Sequence, residues 1–144
     1  MVKINPEVAR ADLKIGISSV VPHPMAGYSG GPKIVMPGIC DFDFIRDHHM
    51  KNVIHPRSVA GVLDGNPFQG GILQVAKAVG LDFSINCVYN RKGQVSRIVG
   101  GSSRLVVLCS SACAMCVNSV CFAPMRRAAS TASDNEKCVR CFLC

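Results

Sequence analysis

The chain has no tryptophan, two tyrosines and six phenylalanines in 144 residues, too few rings for the aromatic platform on which single-stranded nucleic acid stacks. It also lacks any basic run longer than two, as at Arg91-Lys92 and Arg126-Arg127. The net charge of +7 is spread out: eleven Lys/Arg stand against seven Asp/Glu in residues 1–102, and five against two in the remainder. Phosphate neutralisation needs several cations along one track, so no nucleic-acid partner is expected and the charge reads as solubility. The opening MVKINPEVARADLKIG holds no apolar stretch of the kind a secretory signal requires. Nine cysteines in such a chain point to reduced thiols or metal rather than a disulfide framework, and to a cytoplasmic setting.

What is present divides near residue 102. Apolar residues make up 49% and charged residues 17%, enough for one packed domain. Residues 12–21, DLKIGISSVV, read as a strand running into a glycine loop. Residues 42–51 read as a helix with Asp41 at its N-cap. Residues 66–80, NPFQGGILQVAKAVG, carry a full set of helix signals: Asn66 at the cap, Pro67 in the first turn, Gln69 in a variant capping box and Gly80 as the stop. Ile72, Ala76 and Val79 then share a face. Residues 82–89 and 94–100 read as strands joined by the turn Asn90-Arg91-Lys92-Gly93. The expected class is α/β: a partial mixed α/β domain over 1–102, followed by an irregular cysteine-rich tail over 103–144.

The chemistry concentrates in residues 22–33, PHPMAGYSGGPK, where three glycines, a serine and two prolines separate His23 from Lys33. Gly30 and Gly31 permit positive φ and a close backbone approach to a ligand. A phosphate cradle of the Walker type needs Gly-Lys followed by Ser or Thr. The order here is Gly31-Pro32-Lys33-Ile34, which excludes it. What remains is a mobile lysine amine with a histidine across a flexible loop. A desolvated lysine is a nucleophile and a covalent attachment point, and histidine transfers protons near neutral pH. The plainer alternative is a surface turn with a solvated lysine. His49 falls on the same helical stripe as Phe42 and Ile45, with His48 directed elsewhere and His55 in a loop. On that stripe His49 is either a satisfied core residue or a metal ligand through its neutral imidazole.

These residues carry a resemblance. VVPHPMAGYSGGPKIVMPGI, then DHHM, then HPRSVAGVLDGNPFQGGILQVAKAVGLDFSINCVYN closely resemble the N-terminal domain of the nickel-pincer lactate racemase family over about residues 2–101. The spacings of ten residues from His23 to Lys33 and sixteen from Lys33 to His49 make the likeness specific. The resemblance implies a nickel pincer nucleotide, a nicotinic-acid-derived dithio cofactor, joined covalently to Lys33 beside Gly30 and Gly31. It implies His49 as the protein ligand to Ni(II), and His23 as a general acid/base. The implied reaction is racemisation of a small 2-hydroxy acid by reversible hydride transfer, with cofactor-synthesis proteins as partners. The family's second catalytic histidine, its phosphate-contacting loop and its C-terminal domain have no counterpart in this chain, so weak or absent activity is expected of it alone. The half-domain is also expected to leave exposed edges prone to aggregation.

The tail supports a competing reading. Cys113 and Cys116 form one C-x2-C pair and Cys138 and Cys141 another, the ligand spacing of a structural zinc site, which suggests a non-enzymatic zinc-binding or interaction protein. An out-of-frame reading or a disordered tail would account for the same change of composition. Residues 105–125 are free of charge for 21 residues, but three serines and an asparagine dilute them, so a membrane span is not expected.

Overall fold

The computed structural model describes residues 2–101. The elements run α1 (Pro6–Arg10), β1 (Ile15–Val20), β2 (Pro22–His23), β3 (Gly27–Tyr28), a 3-10 turn (Gly31–Ile34), α2 (Phe42–Asn52), α3 (Pro67–Val79), β4 (Phe83–Tyr89) and β5 (Val95–Gly101). The α/β class is as expected. The sheet has the order β1-β4-β5, with β1 and β4 parallel and β4 and β5 antiparallel. Parallel neighbours require a long crossover, and everything between Val20 and Phe83 serves as one. That crossover holds the loop and both longer helices.

The helix caps follow the sequence. Asp41 accepts hydrogen bonds from the Asp43 and Phe44 amides at the start of α2, Asn66 accepts from Gln69 N–H at the start of α3, and Gly80 ends α3 in the left-handed conformation. The capping box at α3 is only half made. Gln69 is buried, and its side-chain amide has no partner among the described residues, so it does not reach back to Asn66. The short α1, capped by Asn5, and the two-residue strands β2 and β3 carry no periodicity and were not expected.

Two findings correct the sequence reading. The segment 22–33 is not a flexible loop. Ala26, Gly27, Tyr28, Gly30, Gly31 and Pro32 are all buried. β2 pairs with β3, Ser29 N–H donates to Val21 O, and Gly61 N–H donates to Gly27 O. The inward stripe of α2 is also rotated from the one expected: Phe42 is 74% exposed, whereas His48 is the buried residue of the helix. Ile45 and Phe44 pack on the core.

The core is built where α3 meets the segment 26–36, from Ala26, Val35, Met36, Phe68, Ile72, Val75 and Ala76. Val20, Tyr28 and Val88 form a second cluster under the sheet. The inner face of the sheet is small and polar at Gly16 and Ser18 on β1 and Ser84 and Asn86 on β4, and apolar beyond them at Val20, Val88 and Val99. The outer face is apolar, with Ile15 and Ile17 beside Phe83 and Ile85, and Ile98 beyond. Ile15, Ile17 and Ile98 are exposed. No helix among the described residues is long and apolar enough to cross a membrane. The cysteine pairs of the tail, the run 105–125 and the expected disordered or out-of-frame character of 103–144 lie outside the described residues.

Candidate functional site

The small inner face lets the glycine segment lie directly on the sheet. Gly30 has φ 94°, and a Cβ there would come within 2.6 Å of Val20 Cγ2. Only glycine fits both the conformation and the approach. Gly31 then opens the 3-10 turn, closed by Lys33 N–H to Gly30 O at 3.1 Å, and Lys33 leaves the turn half-buried. Its ammonium has no carboxylate partner among the described residues, and loss of solvent holds its pKa below the ordinary 10.5.

Phe68, buried in the second position of α3, is the centre of the site. Its ring lies 4.8 Å from the His49 ring, 4.6 Å from His48 and 6.3 Å from His23, measured between centroids. Two of the residues singled out in the sequence, His23 and His49, are thereby brought to one ring. The charge of Lys33 reaches both His23 and His48.

Hydrogen bonds fix what each ring can offer. His49 Nδ1 lies 2.8 Å from Ile45 O. A carbonyl only accepts, so Nδ1 carries the hydrogen and the lone pair of Nε2 is left for another ligand. His23 Nδ1 does the reverse, accepting from Ala26 N–H at 3.1 Å and Met25 N–H at 3.3 Å. Neutral His23 therefore carries its proton on Nε2. Burial first, then the charges of Lys33 and His49, hold its pKa below the usual 6.5. His48 donates from Nε2 to Phe68 O at 3.1 Å, and its buried Nδ1 is unpartnered among the described residues. Burial, with the neighbouring His49 charge, lowers its pKa also.

Phe68, His48, Ser18 and Asn86 were not identified from sequence. The one available signal was the position of Phe68 just inside a well-capped helix start. A cleft of about 690 Å³ opens between α2 and α3, lined by Lys3, Asp43, His48, Lys51 and Gln74 among others, but not by His23, Lys33 or His49. The site is assigned to the converging imidazoles and amine, because volume alone supplies no chemistry. No group of three or more His, Cys, Asp or Glu forms a metal cage among the described residues. A metal at His49 would draw its other donors from elsewhere.

Comparison with known proteins identifies relatives of the sequence and the fold. Residues 1–61 match the model of the lactate racemase N-terminal domain. The chain is 32% identical over 102 residues to a lactate racemase of Thermoanaerobacterium thermosaccharolyticum, a match covering 70% of this chain and 24% of that one. It is 33% identical over 93 residues to a lactate racemase of Lactiplantibacillus plantarum, covering 64% and 22%. The chain thus spans about a quarter of the length of the curated relatives it matches. Among solved structures, the lactate racemase apoprotein of T. thermosaccharolyticum superposes with a TM-score of 0.74 at 29% identity, covering 77% of this chain and 27% of that one. A Thermotoga maritima protein shares the fold, with a TM-score of 0.62 at 24% identity over 82% of this chain and 30% of that one. Sequence and fold both point the same way: residues 1–61 match the lactate racemase N-terminal domain, and the chain is similar to the lactate racemases over about 102 residues.

Proposed function

We propose that this chain is the cofactor-anchoring part of a nickel-pincer-dependent 2-hydroxy-acid racemase. The observation that carries the reading is the meeting of His23 and His49 at Phe68, with a desolvated Lys33, free of a carboxylate partner among the described residues, whose charge reaches His23. The donor set fits the group. The Lys33 amine is the nucleophile for covalent attachment, since burial raises its unprotonated fraction. Gly30 and Gly31 bring bare backbone alongside it. His49 offers Nε2 to Ni(II), with Nδ1–H anchored on Ile45 O. The cofactor when bound supplies the hydride chemistry at the substrate's 2-carbon.

His23 exchanges the hydroxyl proton of the 2-hydroxy acid. Taking up a proton places hydrogens on both ring nitrogens, and Nδ1–H would then face the Met25 and Ala26 amides. Protonation of His23 is therefore coupled to opening of the turn at residues 23–26. Racemisation needs proton traffic on both faces of a planar intermediate, and the described residues provide one imidazole placed for it. The chain by itself is expected to racemise weakly or not at all.

The test is to express the chain with the cofactor-synthesis proteins and measure bound nickel in three forms. The parent should carry nickel, Lys33→Ala should lose both organic group and metal, and His49→Ala should keep the organic group with less metal. Equal nickel in the parent and Lys33→Ala would overturn the proposal.

A further inference from the structure

Ser18 and Asn86 face each other across the β1–β4 register. Ser18 Oγ–H donates to Asn86 Oδ1 at 2.7 Å, and Gly31 N–H lies 2.9 Å from both oxygens. One backbone amide of the glycine segment is thus held by side chains from two neighbouring strands. The amide of Asn86 can stand only one way round, because Gly31 N–H is a donor and Oδ1 alone can receive it. Nδ2 is then buried with no partner among the described residues, although Asn86 is 0% exposed. An apolar residue of similar shape would avoid that orphan donor, so stability by itself does not account for an asparagine between Val20, Val88 and Val99.

The consequence lies two residues along the chain. Gly31 is the first residue of the 3-10 turn and Lys33 its third. The preceding Gly30 is pressed so closely that a Cβ would sit 3.3 Å from both terminal atoms of the Asn86 amide. We infer that Ser18 and Asn86 are positioning residues: by gripping the Gly31 amide they fix the 3-10 turn and so the place from which the Lys33 side chain projects. The inference rests on the reading of Lys33 given above, but its test does not require the cofactor.

Two readouts are taken on the metal-free chain: hydrogen exchange at the Gly31 amide, and the rate at which an amine-reactive acylating reagent modifies Lys33, expressed relative to exposed Lys77. Ser18→Ala and Asn86→Leu should speed Gly31 exchange and change the Lys33/Lys77 ratio by about threefold or more, the scale set by loss of one buried hydrogen bond. Ser18→Thr, which keeps the hydroxyl, should restore both. A general loosening of the fold would also expose half-buried Lys33, but it would speed exchange at the core amide of Ile72 as well, which the inference expects to be unchanged in folded Ser18→Ala. If Asn86→Leu does not fold, Ser18→Ala and Ser18→Thr carry the comparison. An unchanged ratio or unchanged Gly31 exchange in folded Ser18→Ala would overturn the inference. Whether Lys33 anchors the cofactor is decided separately by the adduct on the parent chain, so the two failures are distinguishable.

Discussion

At the scale of single residues, the site is organised by an apolar ring rather than by a polar group. Phe68 meets the edges or faces of three imidazoles while sitting 1% exposed in the main core. Truncation to alanine removes both the burial and the seat of the rings. Phe68→Ala should cost about 3–5 kcal/mol, read as a shift in urea midpoint. The histidines also predict a pH dependence. Folded His23 and His48 both titrate below the ordinary 6.5, so the unfolded chain binds protons first as pH falls. Stability of the metal-free chain should be full above about pH 7 and decline as pH drops below about 6.5. His48→Gln keeps a donor for Phe68 O and cannot titrate, so its urea midpoint should fall less on acidification. His23, Lys33 and His49 were legible because their types and spacings are a local pattern. His48 was misread, since which side of α2 faces inward is decided by Phe68, twenty residues away. Ser18 and Asn86 were invisible for the same reason, as their meaning lies in a contact across 68 residues.

At the scale of elements, the regular pieces were readable and the segment that carries the lysine was not. α3 announces itself through Asn66, Pro67 and Gly80, each acting at short range. The strands β4 and β5 do so through their residue types and the turn at Gly93. The glycine segment has no such local code. Much of its order comes from distant partners: Asn86 on Gly31 and Asn66 on Met25. Asn66 does double duty, accepting from Gln69 N–H while donating to the carbonyls of Met25 and Val62 at 2.9 Å each. Asn66→Ala should therefore exceed an ordinary cap deletion, costing about 2–3 kcal/mol. Asn66→Asp, which keeps the cap but not the donated bonds, should fall between the two in denaturant midpoint.

At the scale of the whole molecule, the sheet has helices and loop on its inner face and an apolar outer face bearing exposed Ile15, Ile17 and Ile98. Parallel pairs such as β1–β4 are ordinarily covered on both sides, and exposed apolar patches promote association. Ile17 is 64% exposed, so Ile17→Lys should change folding stability by no more than about 0.5 kcal/mol while reducing concentration-dependent light scattering. A loss of several kcal/mol would instead mean that this face is covered in the isolated chain. The family could be reached from sequence because the loop, both spacings and the capped helix recur together. Which side of the sheet stays open could not, because inward Ser84 and Asn86 reverse the usual polarity of a half-buried strand. The central claim is that Lys33 anchors a cofactor. It is tested most directly by the intact mass of the chain after co-expression with nickel-pincer synthesis proteins, followed by peptide mapping. The account predicts one covalent adduct, located on Lys33 and missing from Lys33→Ala. An unmodified chain under conditions that load a complete racemase, or an adduct on another residue, would contradict it.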